Sequence, residues 1–283
     1  MGFKYSITLS SFRDIEPIEQ TLETLTQQGY DAVEMFGEPD KLDLRAVEDI
    51  FHSYDIRVCG VTGMWGSISE DGWKRKLLTS DRSLITNSQE YVKRCIEMCR
   101  LLCGDGINVC LFADDKLTAF DRNHRTLPEE QKGRIIQQAL PVLSNLSKYA
   151  ADRNIRILLE PLNRYSTPYC TTAKDAIAIA NQINQDSFGI LLDTFHMNIE
   201  EDSFRQAIHE SGSLLRHTHF SDNNRKMPGF GHIDFQSIVN SLHHIGYSQY
   251  ISFEPNLTGK EYELETKNGL DFIKSIEKKD LRK

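Results

Sequence analysis

Several things are scarce or missing in this chain, and each absence removes a class of function. None of its 283 residues form a run near the ~20 consecutive apolar residues of a membrane span, so no membrane partner is expected. The net charge of −8 has the wrong sign for a surface that faces phosphates, so no nucleic-acid partner is expected either. The 6 cysteines lack zinc-type C-x-x-C spacing. Cys95, Cys99 and Cys103 recur at every fourth position, where they pack as small hydrophobes on one helical face. Cys59 and Cys110 fall in predicted strands and Cys170 in a loop, a pattern of free thiols that suits the cytoplasm. The opening Met1-Gly2-Phe3-Lys4-Tyr5-Ser6 has no signal-peptide charge and apolar core. Gly2 and Ser6 fit a loose myristoylation pattern, but Tyr5 to Leu9 is wanted as a strand. There is also no low-complexity tract and no G-x-G-x-x-G after the first strand.

What is present is a repeating alternation. Strands are predicted at Lys4–Leu9, Tyr30–Phe36, Ile56–Thr62, Gly106–Phe112, Ile155–Glu160, Phe188–Asp193, Leu214–Phe220 and Tyr250–Glu254. Between and after them come helices at Glu16–Gln28, Leu42–Ser53, Arg82–Cys103, Pro128–Arg153, Thr172–Asn184, Asp202–Glu210, Asp234–Ile245 and Glu261–Lys278. Gly29 closes the first helix, and proline with Glu129 and Glu130 opens the fourth. Eight strand–helix units with no linker imply a parallel sheet with right-handed crossovers. The fold class expected is α/β, a single (β/α)8 TIM barrel over residues 1–283, since such barrels run to about 250 residues as one unit. An open doubly wound sheet is the alternative.

The chemistry concentrates where the later strands end. Gly189-Ile190-Leu191-Leu192 is an apolar run that stops at Asp193, with His196 three residues on. Ile155 to Leu159 stops at Glu160, Leu214 to Thr218 at His219, and Tyr250 to Phe253 at Glu254. A charge has no place inside a strand buried on both faces, so these residues mark the carboxyl ends of strands five to eight. That is the face on which such barrels carry their active sites. Three carboxylates crowded there would repel one another unless a positive charge lay between them. A divalent cation answers this. Mostly oxygen donors with one nitrogen favour Mn2+, Mg2+ or Co2+, and admit Zn2+. Such a cation grips a carbonyl and a neighbouring hydroxyl oxygen, and two carboxylates on opposite sides could then move the proton between them.

Several segments carry a resemblance that goes further. These are Leu159-Glu160-Pro161-Leu162-Asn163-Arg164-Tyr165, Leu192-Asp193-Thr194-Phe195-His196-Met197-Asn198-Ile199-Glu200-Glu201, and His219-Phe220-Ser221-Asp222-Asn223-Asn224-Arg225. Pro228-Gly229-Phe230-Gly231-His232-Ile233-Asp234-Phe235 and Phe253-Glu254 complete the set. With ligand intervals of 33, 26 and 35 residues, the chain resembles the xylose isomerase-like TIM barrels, the sugar phosphate isomerase/epimerase family. Within it the likeness is to ketose 3-epimerases of the tagatose/psicose type. The resemblance implies that Glu160, Asp193, His219 and Glu254 hold one divalent metal ion, Mn2+ foremost. It further implies that Glu160 and Glu254 double as the acid/base pair through a cis-enediolate, and that His196 and Arg225 hold substrate oxygens. The implied partner is a small-molecule sugar, and the implied assembly a homodimer or homotetramer.

One position departs from the family. Ketose 3-epimerases carry a second glutamate six residues after the first metal ligand, where this chain has Ser166. A hydroxyl lacks that charge and reach, which leaves room for another polyol, sugar acid or phosphorylated sugar. Glu34, ending strand two, has two readings, structural hydrogen bonding or substrate contact. Trp65, with Met64 and Phe36, is read either as an apolar wall over the sugar or as ordinary packing. His217 is read as a layer residue inside the barrel and His232 as structural. Same-fold dehydration or cleavage of a keto-polyol needs the same four ligands and stays open. An apurinic endonuclease of the endonuclease IV type would need histidines at the ends of strands three and four, where this chain has Cys59 to Thr62 and Cys110 to Ala113.

Overall fold

Short apolar segments alternate with amphipathic helices, and each segment pairs with its sequence neighbours on both sides. A computed structural model of the chain describes residues 2–12, 15, 17–63, 72–113, 128–257 and 261–280. Its strands are β1 (Lys4–Thr8), β2 (Ala32–Phe36), β3 (Arg57–Thr62), β4 (Gly106–Val109), β5 (Arg156–Leu159), β6 (Phe188–Asp193), β7 (Leu215–Phe220) and β8 (Tyr250–Phe253). They form a closed parallel barrel in sequence order. Pairing of Tyr5 with Ile251 and Ile7 with Phe253 shuts it. The helices are α1 (Ile18–Gln28), α2 (Leu44–His52), α3 (Arg82–Leu101), α4 (Glu129–Ala151), α5 (Ala173–Ile183), α6 (Thr194–Glu200), α7 (Phe204–Ser211), α8 (Phe235–His244) and α9 (Tyr262–Asp280). The expected (β/α)8 barrel is therefore the fold observed. No helix among the described residues is long and apolar enough to cross a membrane.

Side chains alternate across a strand, and here the two parities have different chemistry. One parity is aliphatic or aromatic: Ile7, Val33, Val61, Ile107, Ile157, Leu159, Ile190, Leu192, Ile251 and Phe253 are all buried in one apolar core. In-register partners share the other parity, and many of them are polar: Ser6, Thr8, Glu34, Asn108, Asp193, His217, His219 and Ser252. The barrel is thus greasy toward its helices and polar inside. That polar interior is what a site at its carboxyl end is built on.

Three expectations need correction. β4 ends at Val109, so Cys110 and Phe112 lie beyond the strand, and the chain there is held through Leu78 N–H donating to Phe112 O at 3.0 Å. Cys103 is exposed, not buried beside Cys95 and Cys99: α3 stops at Leu101, and Cys103 turns to φ 58° after it. Helix α6 was not expected at all. Asp193 starts it, its Oδ1 accepting from Phe195 N–H at 2.8 Å. The capping glycine of α1 is as expected, Gly29 standing at φ 84° with its N–H on Leu25 O and Thr26 O. Trp65, Met64 and most of the loop read from Ala113 to Thr126 lie outside the described residues.

Candidate metal and proton-transfer site

β5 to β8 each deliver one side chain to the barrel's carboxyl end. Register places Asp193 beside His219 in neighbouring strands. Glu160 and Glu254 stand one residue past β5 and β8, where their N–H groups still reach Val109 O at 3.0 Å and Phe220 O at 3.1 Å. That last ladder bond fixes both carboxylates over the barrel axis. One ligand atom from each of Glu160, Asp193, His219 and Glu254 lies within 4.8 Å of the others. Glu160, Asp193 and His219 are fully buried, and the Glu254 side chain is 12% exposed.

Glu160 and Glu254 are each anchored through one oxygen and Asp193 through both. Glu160 Oε2 accepts from Asn108 Nδ2 at 2.7 Å and, weakly, from Cys110 Sγ at 3.5 Å. Glu160 Oε1 has no partner. Asp193 spends Oδ1 on the α6 cap, while Oδ2 receives Arg225, whose other arm reaches Glu254 Oε2. His219 Nδ1 is 3.2 Å from Glu254 Oε2 and 3.8 Å from Glu160 Oε1, yet makes no well-directed hydrogen bond to either. Two buried polar atoms without partners, facing each other among carboxylates, are costly alone. A cation between them would satisfy both, and three carboxylates with one imidazole suit a divalent ion. The residues present fit such an ion.

The electrostatics divide the two glutamates. Burial pushes Glu160 up to about 8, with the Glu254 and Asp193 charges adding to the effect and His219 opposing it. Burial acts on Glu254 too, but Arg225 and His219 outweigh it and hold its carboxyl below the usual range. Without a cation, the two carboxyls are thus pushed in opposite directions.

His196 and Arg225 complete the rim. His196 Nδ1 accepts from the Asn163 backbone N–H at 3.1 Å, and a backbone amide can only donate. The ring proton therefore sits on Nε2, which lies 3.8 Å from Asp193 Oδ2. Burial keeps His196 below its ordinary pKa, so it is a neutral donor. Arg225 sits at φ 59°, its N–H on Asp222 O at 2.8 Å and its O receiving Asn256 N–H at 2.7 Å. Asp222 organises that loop. Its carboxylate accepts from Asn223, Gly229, Gly231 and Ile233 N–H at 2.8–3.1 Å. A Cβ on Gly231 would fall 2.3 Å from Asp222 Oδ1, so only glycine fits there.

Glu34 lies lower in the barrel, 2.7 Å from His217 Nε2 and 3.2 Å from His219 Nε2. Of its two readings the structure supports hydrogen bonding. His217 is buried inside the barrel, outside the cluster of four candidate ligands, and groups instead with Glu34 and His219. His232 is exposed, its N–H on Asn223 Oδ1. Ser166 is exposed on a turn, its N–H on Asn163 O at 2.9 Å.

Sequence reading missed Asn108, Asn163 and Asp222. Asn108 was detectable as an amide at the inward parity of a buried strand, a place that needs a partner. Its Oδ1 also accepts from Gly63 N–H at 2.5 Å, tying Glu160 to the end of β3. Asn108→Ala is expected to lower cation affinity about 10-fold, the lower end of the range for residues behind a ligand. Titration of the purified protein with Mn2+ checks it, and unchanged affinity would mean Glu160 is held by packing alone.

The chain is similar to known proteins over most of its length. The chain is 29% identical over 248 residues to the 3-dehydro-D-guloside 4-epimerase of Escherichia coli, covering 87% of this chain and 90% of that protein. It is 26% identical over 230 residues to the L-ribulose 3-epimerase of a Methylomonas species, covering 80% and 74%. The structure of D-psicose 3-epimerase with D-tagatose from Clostridium cellulolyticum superposes with a TM-score of 0.81 at 22% identity, covering 97% of this chain and 99% of that one. Residues 22–276 match the family described as the xylose isomerase-like TIM barrel, and the chain belongs to that family.

Proposed function

We propose that this protein is a sugar epimerase that inverts a carbinol carbon next to a ketone, using a divalent cation held by Glu160, Asp193, His219 and Glu254. The observation that carries the reading is the pair of glutamates. They rise from strands separated by β6 and β7, and each brings a carboxylate oxygen to one cluster with Asp193 and His219. The names of the relatives share one chemistry: a ribulose inverted at C3 and a 3-dehydro sugar inverted at C4 both change the carbon beside a carbonyl.

A cation bound there would polarise the ketone and make the neighbouring C–H bond more acidic. The ionised glutamate takes that proton, and the C–H electron pair becomes the C=C bond of a cis-enediolate. The other glutamate, which entered protonated, returns its proton to the opposite face. Each turnover leaves the proton on the other glutamate, which sets the pair for the reverse reaction, and the proton must pass back before the same epimer reacts again. His196 Nε2–H and the Arg225 guanidinium donate to substrate oxygens, Arg225 to the one that gains negative charge. Ser166 offers no charge for the substrate's far end, which favours a substrate other than a free ketohexose.

Deuterium wash-in tests this. Protein stripped and reloaded with Mn2+ is incubated in D2O with ketoses, 3-dehydro sugars, sugar acids and their phosphates. NMR is expected to show exchange at one carbon beside a carbonyl, together with the inverted product. A protein that takes up no divalent cation, or exchanges no substrate of these classes, would overturn the reading.

A further inference from the structure

Glu34 is 3% exposed and has no counterpart among the proton-transfer residues. It sits at the inward parity of β2, beneath the four ligands, between two imidazoles. His217 Nε2 is 2.7 Å from its Oε1, and His219 Nε2 is 3.2 Å from both Oε1 and Oε2. The two rings meet edge to face, with centroids 5.4 Å apart at 83°. An ionised carboxylate only accepts hydrogen bonds, so each imidazole must present an N–H at Nε2. A neutral imidazole protonated at Nε2 carries its lone pair at Nδ1. For His219, Nδ1 is the partnerless atom that faces Glu160 and Glu254.

We propose that Glu34 is a positioning residue that fixes the tautomer and ring orientation of His219, so that Nδ1 binds the cation, and that His217 holds Glu34 in place. This rests on the cation site proposed above. It also gives His217 a purpose: a second N–H keeps the Glu34 carboxylate from rotating away from His219. The isosteric change Glu34→Gln is unusually informative here. Because His219 Nε2 is equidistant from both oxygens, the amide would set one oxygen and one NH2 against it in either flip. The His219 N–H then keeps one neutral acceptor in place of a carboxylate's two charged ones, which loosens the ring and makes Nδ1 a weaker ligand for the cation.

The test uses full-length protein labelled with 15N-histidine and loaded with Zn2+, which is diamagnetic. Metal analysis comes first, and one Zn2+ per chain is expected. Long-range 1H–15N correlation should then show His219 protonated at Nε2 with Nδ1 bound to metal, and His217 protonated at Nε2. In Glu34→Gln, competition with a chelator should show affinity lowered about 10- to 100-fold, while the chelated variant melts near wild type. Glu34→Asp should recover part of the loss. A wild-type protein that binds no Zn2+ would sink the cation reading and this proposal together. One Zn2+ bound with His219 protonated at Nδ1 would overturn this proposal alone, as would unchanged affinity in Glu34→Gln. Two Zn2+ per chain with no Nε2 proton on His217 or His219 would also overturn it, since Glu34, His217 and His219 would then form a cation site themselves. The wild-type spectrum decides the matter even if the variant fails to fold.

Discussion

Glu254→Gln is expected to slow epimerisation by about 10^2- to 10^4-fold, the usual contribution of a positioned acid or base, while sparing hydrogen exchange from one of the two epimers. The asymmetry follows from the two-sided geometry. Each glutamate serves one face of the reacting carbon, so each epimer has its own base. Without the Glu254 carboxylate, the epimer that presents its C–H to Glu160 can still lose that proton. Glu160 then returns deuterium to the same face, giving exchange without inversion. The other epimer presents its C–H to an amide, which cannot take it. Glu160→Gln should show the mirror image. Both variants keep a carbonyl oxygen where the carboxylate stood, so metal content must be measured beside the rates. Equal loss of exchange from both epimers in Glu254→Gln, with the cation still bound, would mean that one base serves both faces.

The second large effect concerns stability. Arg225 reaches Asp193 with one arm and Glu254 with the other, partly buried and lying 4.9 Å from the Phe195 ring. In the metal-stripped protein this guanidinium supplies the positive charge that the carboxylates require. Arg225→Ala should therefore cost the stripped protein about 3–5 kcal/mol, the cost of breaking one side of a buried pair. At about 2–4 °C per kcal/mol in a chain of this size, melting should fall by roughly 6–20 °C. Saturating Mn2+ should return much of it, since ligand at about 100 times Kd adds about 2.7 kcal/mol. It should also stabilise the variant more than wild type, because Arg225 occupies the oxygens that a cation would take. Thermal melts of both proteins in chelator and in Mn2+ check this. A fall of less than about 2 °C in chelator would mean the carboxylates are neutralised by protons instead, and equal gains with Mn2+ would mean no shared oxygens.

The fold was legible because each strand is a brief apolar run and each helix a long amphipathic one, and the two periods do not resemble each other. The three candidate carboxylate ligands were legible for a similar reason: a carboxylate that ends an apolar run contrasts with everything before it, whereas His219 lies near the end of a strand that already holds Arg216 and His217. Helix α6 was not, since its seven residues, Thr194–Glu200, are too few to show a helical period beside a strand. Nor was the work of Asn108 and Asn163. An asparagine's sequence surroundings do not say which carboxylate or imidazole the fold will bring to it from 52 or 33 residues away. Glu34 was ambiguous because its partners, His217 and His219, lie 183 and 185 residues on. His217 itself was placed correctly inside the barrel, but its pairing with Glu34 depends on a contact across the barrel interior that no local pattern records.

The closure of β1 against β8 has a consequence for how the molecule is made. On the ribosome β1 emerges first, and one of its edges stays unpaired until Tyr250 to Phe253 follow it out. At about 5–20 residues per second that is a wait of roughly 10–50 s. All four candidate ligands, and both acid/base glutamates, belong to the half translated last. The insertion of a single four-residue strand, β8, therefore both seals the open edge and brings in Glu254, the last of the candidate ligands.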